Sequence, residues 1–229
     1  ELRLQGLRVL VVDDSEINRE VGRRILVGEG AVVALAEDGQ KAIDWLNAHV
    51  HDVDIVLMDI QMPVMDGYQA TRIIRRTPGL DALPVVALTA GAFKAEQDAA
   101  RQAGVTDFIS KPFDVDAAAA LILELTAAGS RPARAATAHT DRDTSSTDRV
   151  PLPGLDVTRG LAIWKDPVEY RQYLRRFARE YAGSAMAMRV MQPAAARTLA
   201  HKLKGAAGNL ALDDVAALAD EIDRHLHEG

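Results

Sequence analysis

Three aspartates, one threonine and one lysine stand at or just beyond the ends of apolar runs in the first half of the chain. Asp13 and Asp14 follow LRVLVV, Asp59 closes DIVLMD, Thr89 lies in PVVALTA and Lys111 in DFISKPF. Strand ends of a parallel α/β sheet converge on one crevice. Three carboxylates gathered there would repel one another unless a divalent cation sat among them. Carboxylates that leave open positions for water and a phosphoryl group suit Mg²⁺. Thr89 adds a hydroxyl and Lys111 a cation.

A second candidate lies far along the chain. His201 stands in AHKLKG, with Gly205 four residues on and hence on the same helix face. A residue without a side chain there leaves the imidazole open to a docking partner. Lys202 and Lys204 raise the local positive potential, which favours an incoming phosphoryl group. His49, His51, His139, His225 and His227 have no such surroundings. His225 and His227 are two apart and do not share a helix face, which argues against a zinc site.

Composition narrows the classes. The formal net charge of −6 argues against nucleic acid as the main partner. The absence of cysteine rules out disulfides and cysteine-ligated zinc. No apolar run approaches the roughly 20 residues that span a bilayer, and no signal peptide is visible. The chain starts at Glu1 and enters a strand within a few residues, so it reads as a piece of something longer. Gly28-Glu29-Gly30 does not complete a dinucleotide fingerprint, and there is no Walker motif.

These residues need a scaffold that brings strand ends together. The pattern predicts strands at Arg8–Val12, Val32–Ala36, Ile55–Met58, Val85–Leu88 and Phe108–Ile109, apolar enough to be buried on both faces. Helices are predicted near Glu16–Leu26, Gln40–Asn47, Tyr68–Arg76, Lys94–Ala103 and Val115–Ala127. Five βα units make one doubly wound, five-stranded parallel sheet over residues 1–127. Residues 128–153 are rich in Ala, Arg, Thr, Ser, Asp and Pro without apolar periodicity, and read as a mobile linker. Residues 154–229 read as helical only. Asp156 and Asp166 are candidate N-caps, and helices are expected over Val168–Tyr181, Pro193–Ala207 and Leu212–Leu226. This is an all-α bundle.

The segments VVDDS, LMDIQMPVMDG, ALTA and FISKPF, with the aromatic Phe108 on the last strand, resemble the CheY-like response-regulator receiver family over about Leu7–Ala127. The resemblance implies a flavodoxin-like fold with Asp59 as phosphoacceptor. It implies that Asp13 and Asp14 hold Mg²⁺ or Mn²⁺ with Asp59, and that Gln61 lends its backbone carbonyl. Thr89, Lys111 and the backbone N–H of Ala90 would contact the phosphoryl oxygens. Thr89 and Phe108 would form the switch, and Lys111-Pro112 falls where the family has a cis peptide bond. A haloacid-dehalogenase-like phosphatase also uses a strand-end aspartate, but it wants a second one where this chain has Gln61.

The string AARTLAHKLKGAAGNL resembles the histidine phosphotransfer (HPt) domain family, with His201 as phosphoacceptor and Lys202, Lys204 and Gly205 on the docking surface. That family normally has a further helix beyond the position of Gly229, so the resemblance implies a truncated bundle. Together the two resemblances imply a phosphorelay module from the C-terminal end of a hybrid sensor histidine kinase. The implied partners are an upstream kinase core in the same polypeptide and a downstream response-regulator receiver. The implied location is cytoplasmic, with a parent anchored in the inner membrane. No ATP-binding segment is evident, so autokinase activity is not expected of these residues. The competing reading is a binding module in which Asp59 gates a neighbour and His201 carries no phosphoryl group.

Overall fold

The computed structural model describes residues 2–89, 94–112, 114–127 and 153–228. The first unit alternates β1 (Arg8–Val12), α1 (Glu16–Gly28), β2 (Val32–Ala36), α2 (Gly39–Ala48), β3 (Ile55–Asp59), α3 (Gly67–Arg76), β4 (Val85–Thr89), α4 (Lys94–Ala103), β5 (Asp107–Ser110) and α5 (Val115–Ala127). All strand pairings are parallel, in the order β2-β1-β3-β4-β5. The order reverses at β1, so a crevice opens beyond the carboxyl ends of β1 and β3.

The predicted strands and helices of this unit form within a few residues of their expected bounds. β1 and β3 are apolar because helices cover both sheet faces. Alternate side chains go to opposite faces. Val9, Val11 and Leu57 pack with Ile17, Val21 and Ile122, whereas Leu10, Val12 and Met58 pack with Ile43, Leu46 and Ile74. The edge strand β2 departs from the expected burial, with Val32 and Leu35 exposed. The helices start on oxygen caps. Ser15 accepts from the Asn18 N–H, Asp38 from Lys41 and Asp66 from Gln69.

The linker predicted over residues 128–153 lies almost wholly outside the described residues. The second unit comprises α6 (Val157–Trp164), α7 (Pro167–Tyr181), α8 (Ser184–Val190), α9 (Pro193–Asn209) and α10 (Asp213–Glu228). Asp156 caps α6 and Asp166 caps α7, where Pro167 fills the first turn. The stretch from Gly183 to Pro193, too short by sequence for a loop and a helix start, instead holds the seven-residue helix α8. It carries no side-chain cap, and Met186 and Val190 face solvent, so it lacks the periodic signal that marked α7 and α9.

The two units share one apolar core. Ile17, Val21 and Ile25 of α1 belong to the same cluster as Trp164, Tyr170, Phe177, Ala206, Ala207 and Leu210. α1 is thus the seat of the helical bundle, packed against α6 and α9.

Candidate functional site

β1 and β3 deliver the acidic residues. Asp13 is fully buried. Its Oδ1 accepts hydrogen bonds from the Ser15 N–H (2.9 Å) and Asn18 Nδ2 (3.1 Å), and its Oδ2 from Lys111 Nζ (2.7 Å). Lys111 Nζ also lies 2.9 Å from Asp59 Oδ2. Lys111 follows β5 and precedes a cis bond to Pro112, as the resemblance implied. Its own N–H donates to the Thr89 carbonyl at 2.7 Å, which ties the ends of β4 and β5 together. Gly67 lets α3 start directly against the end of β3. A Cβ there would sit 2.2 Å from the Asp59 carbonyl oxygen.

Burial pushes the Asp59 carboxyl up to about 6; Lys111 pulls it down, the Asp13 charge raises it, and His201 pulls it down. Burial alone would lower the Lys111 ammonium, but Asp13 and Asp59 outweigh that and hold it raised and charged.

Carboxylate oxygens of Asp13, Asp14 and Asp59 come within 4.8 Å of one another. Three such groups against Lys111 leave an excess of negative charge. Asp14 Oδ2 is buried without a well-aligned hydrogen bond and faces the Lys202 ammonium. An all-oxygen donor set of three carboxylates fits a hard divalent cation. The Gln61 backbone lies beside it, its N–H 3.4 Å from Asp59 Oδ1.

His201 sits mid-way along α9 and is buried. The sequence predicted an imidazole open to a partner; here the chain's own first unit is that partner. Gly205 lies one turn on, where a Cβ would meet Asn18 Nδ2 at 3.3 Å and the Lys111 side chain at 3.7 Å. Asn209 Nδ2 donates to Asn18 Oδ1 at 2.9 Å in a buried contact. Lys202 pairs with Asp14, Arg176 with Glu16, and Arg24 with Glu169. The Arg24 guanidinium also lies over Trp164, 5.3 Å from its ring centre. Lys204 turns instead to Asp220 of α10, at 2.5 Å.

Among the remaining candidates, Thr89 is half-buried at the end of β4, paired in register with Ser110. Phe108 is half-buried on β5, with the Arg101 guanidinium 5.9 Å from its ring centre. Ala90 lies outside the described residues.

Sequence reasoning missed four residues at this junction: Asn18 and Asn209, which bridge the two units, and Arg197 and Asp223, which surround His201. His201 Nδ1 lies 3.4 Å from Asp223 Oδ2, and Arg197 Nε donates to Asp223 Oδ1 at 3.1 Å. The four-residue spacing of Arg197 and His201 was the one available signal, since it places both on one helix face. Asp223 is buried on α10. Burial alone would raise its carboxyl, but hydrogen bonds from His201 and Arg197 hold it below the usual carboxylate range.

Comparison with known proteins agrees with this geometry. Residues 9–123 match the response regulator receiver domain, and residues 169–229 match the Hpt domain. The two-component response regulator ORR41 of Oryza sativa is 47% identical over 109 residues, which covers 46% of this chain and 84% of that protein. Histidine kinase 3 of Arabidopsis thaliana is 37% identical over 133 residues, 49% of this chain but 13% of that protein. Among solved structures, the signal receiver domain of a signal transduction histidine kinase from Syntrophus aciditrophicus superposes with a TM-score of 0.50 at 27% identity, covering 58% of this chain and 100% of that one. Among the described residues no helix is long and apolar enough to cross a membrane. A doubly wound sheet with an acidic crevice, backed by a helical bundle that matches Hpt, is a phosphorelay module, and the chain belongs to the response-regulator receiver family.

Proposed function

We propose that Asp59 accepts a phosphoryl group from a kinase histidine and exchanges it with His201 of the same chain. The observation that carries this reading is the docking of α9 on the crevice: Gly205, one turn from His201, comes against Asn18 and the Lys111 side chain, and Lys202, next to His201, pairs with Asp14. Asp13, Asp14 and Asp59, with the Gln61 carbonyl, would hold Mg²⁺ or Mn²⁺, which supplies neutralising charge at the phosphoryl oxygens. Lys111, the Thr89 hydroxyl and the Ala90 N–H bind the same oxygens, and Thr89 with Phe108 carries the change to the surface. In the first step the Asp59 carboxylate forms a P–O bond as the donor's N–P bond breaks. In the second, the His201 imidazole forms an N–P bond and the aspartyl P–O bond breaks, returning the Asp59 carboxylate.

The partners of this chemistry are an upstream histidine kinase core, in the same polypeptide, and a downstream receiver that takes phosphoryl from His201 once the bundle undocks. The compartment is cytoplasmic.

The test charges the chain with labelled acetyl phosphate and Mg²⁺. Wild type is expected to acquire base-labile label at Asp59 and base-stable label at His201. Asp59→Asn is expected to take none at either residue, and His201→Gln only the base-labile form. If His201 never acquires label, in one chain or between chains, the bundle is a docking module and the relay fails.

A further inference from the structure

The relay reading gives Lys202 no task beyond raising the local potential, yet its ammonium goes to one particular atom. Asp13 and Asp59 draw on Lys111 of their own unit, at 2.7 and 2.9 Å. Asp14 draws instead on the second unit: its Oδ2 pairs with Lys202 Nζ. The Asp14 side chain is only 7% exposed and that of Lys202 30%, so the pair lies inside the junction rather than on its rim. Lys204, two residues on, turns away to Asp220 of α10.

We propose that the Lys202 ammonium stands in for the divalent cation at Asp14 in the docked chain, so that the Lys202–Asp14 pair and cation binding exclude each other. This rests on the docking and metal readings above. Charge balance argues for the exclusion. At neutral pH the three carboxylates against Lys111 and Lys202 leave one negative charge. A divalent cation in exchange for the Lys202 ammonium brings the group to neutrality. The cation and both ammoniums together would leave one positive charge, around a carboxylate that has little water to screen it.

Lys202 also has somewhere to go. It lines a cleft of about 680 Å³ that opens between Gln61 and Tyr68 of the first unit and Arg197 and Thr198 of α9. Its flexible four-carbon stem lets the ammonium swing from Asp14 into that cleft, and be hydrated there, without displacement of α9.

The exclusion couples two events. By linkage, whatever factor the docked Lys202 takes from cation affinity, the cation takes from docking. Docking survives the exchange, because the apolar seat on α1 and the Asn18–Asn209 contact do not involve Asp14. The metal-free chain is thus the more firmly closed one. The cation that readies Asp59 for phosphoryl also loosens the bundle that must later present His201 to another receiver.

The experiment uses the full chain without a phosphodonor. Calorimetry measures its Mn²⁺ affinity, and peptide mass spectrometry measures how fast diethyl pyrocarbonate modifies His201. His201 is buried, so its modification reports the open fraction. Lys202→Met keeps a stem and removes the charge, and is expected to bind Mn²⁺ about 10-fold more tightly than wild type, within the usual range of coupling between sites. Lys202→Arg, which keeps the charge, and Lys204→Met, the same charge change on the same helix, should both stay near wild type. Saturating Mn²⁺ should speed His201 modification in the wild type by about that same factor and leave its rate in Lys202→Met unchanged. Equal Mn²⁺ affinity in wild type and Lys202→Met would overturn the inference. An equal gain in Lys204→Met would reduce the effect to the overall charge of the bundle, and overturn it as well. Absence of Mn²⁺ binding in all four chains would overturn the metal reading and the inference together. A His201 that reacts as fast in the metal-free wild type as in the urea-unfolded chain would overturn docking, and this inference with it. A His201 that never takes label from Asp59, with the affinity pattern as expected, would sink the relay alone and leave Lys202 in competition for Asp14.

Discussion

The two acceptor residues are both buried, but by different means. Asp59 takes its nearest charged partners from its own unit: β1, β3 and β5 bring Asp13 and Lys111 to it through strand ends fixed by the backbone. His201 stands on the flank of a helix and is covered because the first unit docks on it. The charges differ as well. The aspartate sits among like charges that one lysine only partly offsets, whereas the Nδ1 side of the histidine faces a carboxylate that also takes an arginine. A strand-end site is thus complete before any partner arrives, and a helix-face site is completed by the partner. The first can be charged by a small donor alone, while the second depends on docking.

The sharpest way to break this contrast is to remove the offsetting charge. Lys111→Ala leaves Asp13 and Asp59 buried without their shared cation. Loss of one partner of a buried pair costs about 3–5 kcal/mol. At pH 7 without divalent cation the variant is expected to lose about 3 kcal/mol in chemical denaturation and to recover most of it with Mg²⁺. Asp59 labelling should fall about 100-fold, the usual scale for one positioned donor. An unaltered stability without metal would mean the carboxylates are not held together as described.

The complementary change spares the strand-end site and breaks the helix-face one. Gly205→Leu puts a side chain where Asn18 and Lys111 approach α9. Transfer to His201 is expected to fall at least about 10-fold while acetyl phosphate still charges Asp59 normally. Leucine is the better helix former by roughly 0.8 kcal/mol, so the bundle should not lose stability. Equal rates in variant and wild type would show that transfer does not use this docked face.

The same contrast governs how much could be read from sequence. The strand-end residues were legible because each closes an apolar run, as Asp59 closes DIVLMD, and the sheet has one way to gather them. His201 was legible from its AHKLKG surroundings. Asp223 was not, because a buried aspartate in DEIDRH looks like any solvated helix residue until α10 is laid against α9. Asn18 and Asn209 were hidden for a like reason: their contact spans units 191 residues apart in sequence. Helix α8 escaped because a short, exposed helix has neither cap nor stripe.

A smaller effect distinguishes the sites by pH. Burial lifts Asp59 from 3.8 to about 6 in the folded chain. Between those values the folded state binds more protons than the unfolded one, so stability without divalent cation is expected to decline as pH rises from about 4 to about 6 and then level off. Asp59→Asn should remove that decline. Asp223 has the opposite sign: its depressed carboxyl adds stability above the ordinary aspartate range, and that is lost only as pH falls below it. Denaturation midpoints of the two variants across pH 3–8 would separate these slopes, and a decline that survives in Asp59→Asn would assign it elsewhere.

The smallest expected effect concerns the rim of the junction. Arg176 pairs with Glu16 where both side chains remain nearly half exposed, 44% and 47%. Such a pair is worth only about 0.2–1 kcal/mol and is screened by salt. The buried Asn18–Asn209 contact and the apolar seat of α1 around Ile17 and Val21 are not screened in this way. Arg176→Ala is therefore expected to slow transfer to His201 by no more than about 5-fold at low ionic strength, and the difference should vanish at about 0.5 M salt. Val21→Asp, by contrast, puts an unpaired charge into the shared core and should abolish docking at any salt concentration. Should Arg176→Ala remove transfer outright at both salt concentrations, the junction is held by its charged rim rather than its apolar centre, and the account of why the helix-face site needs its partner has to be redrawn around that ion pair.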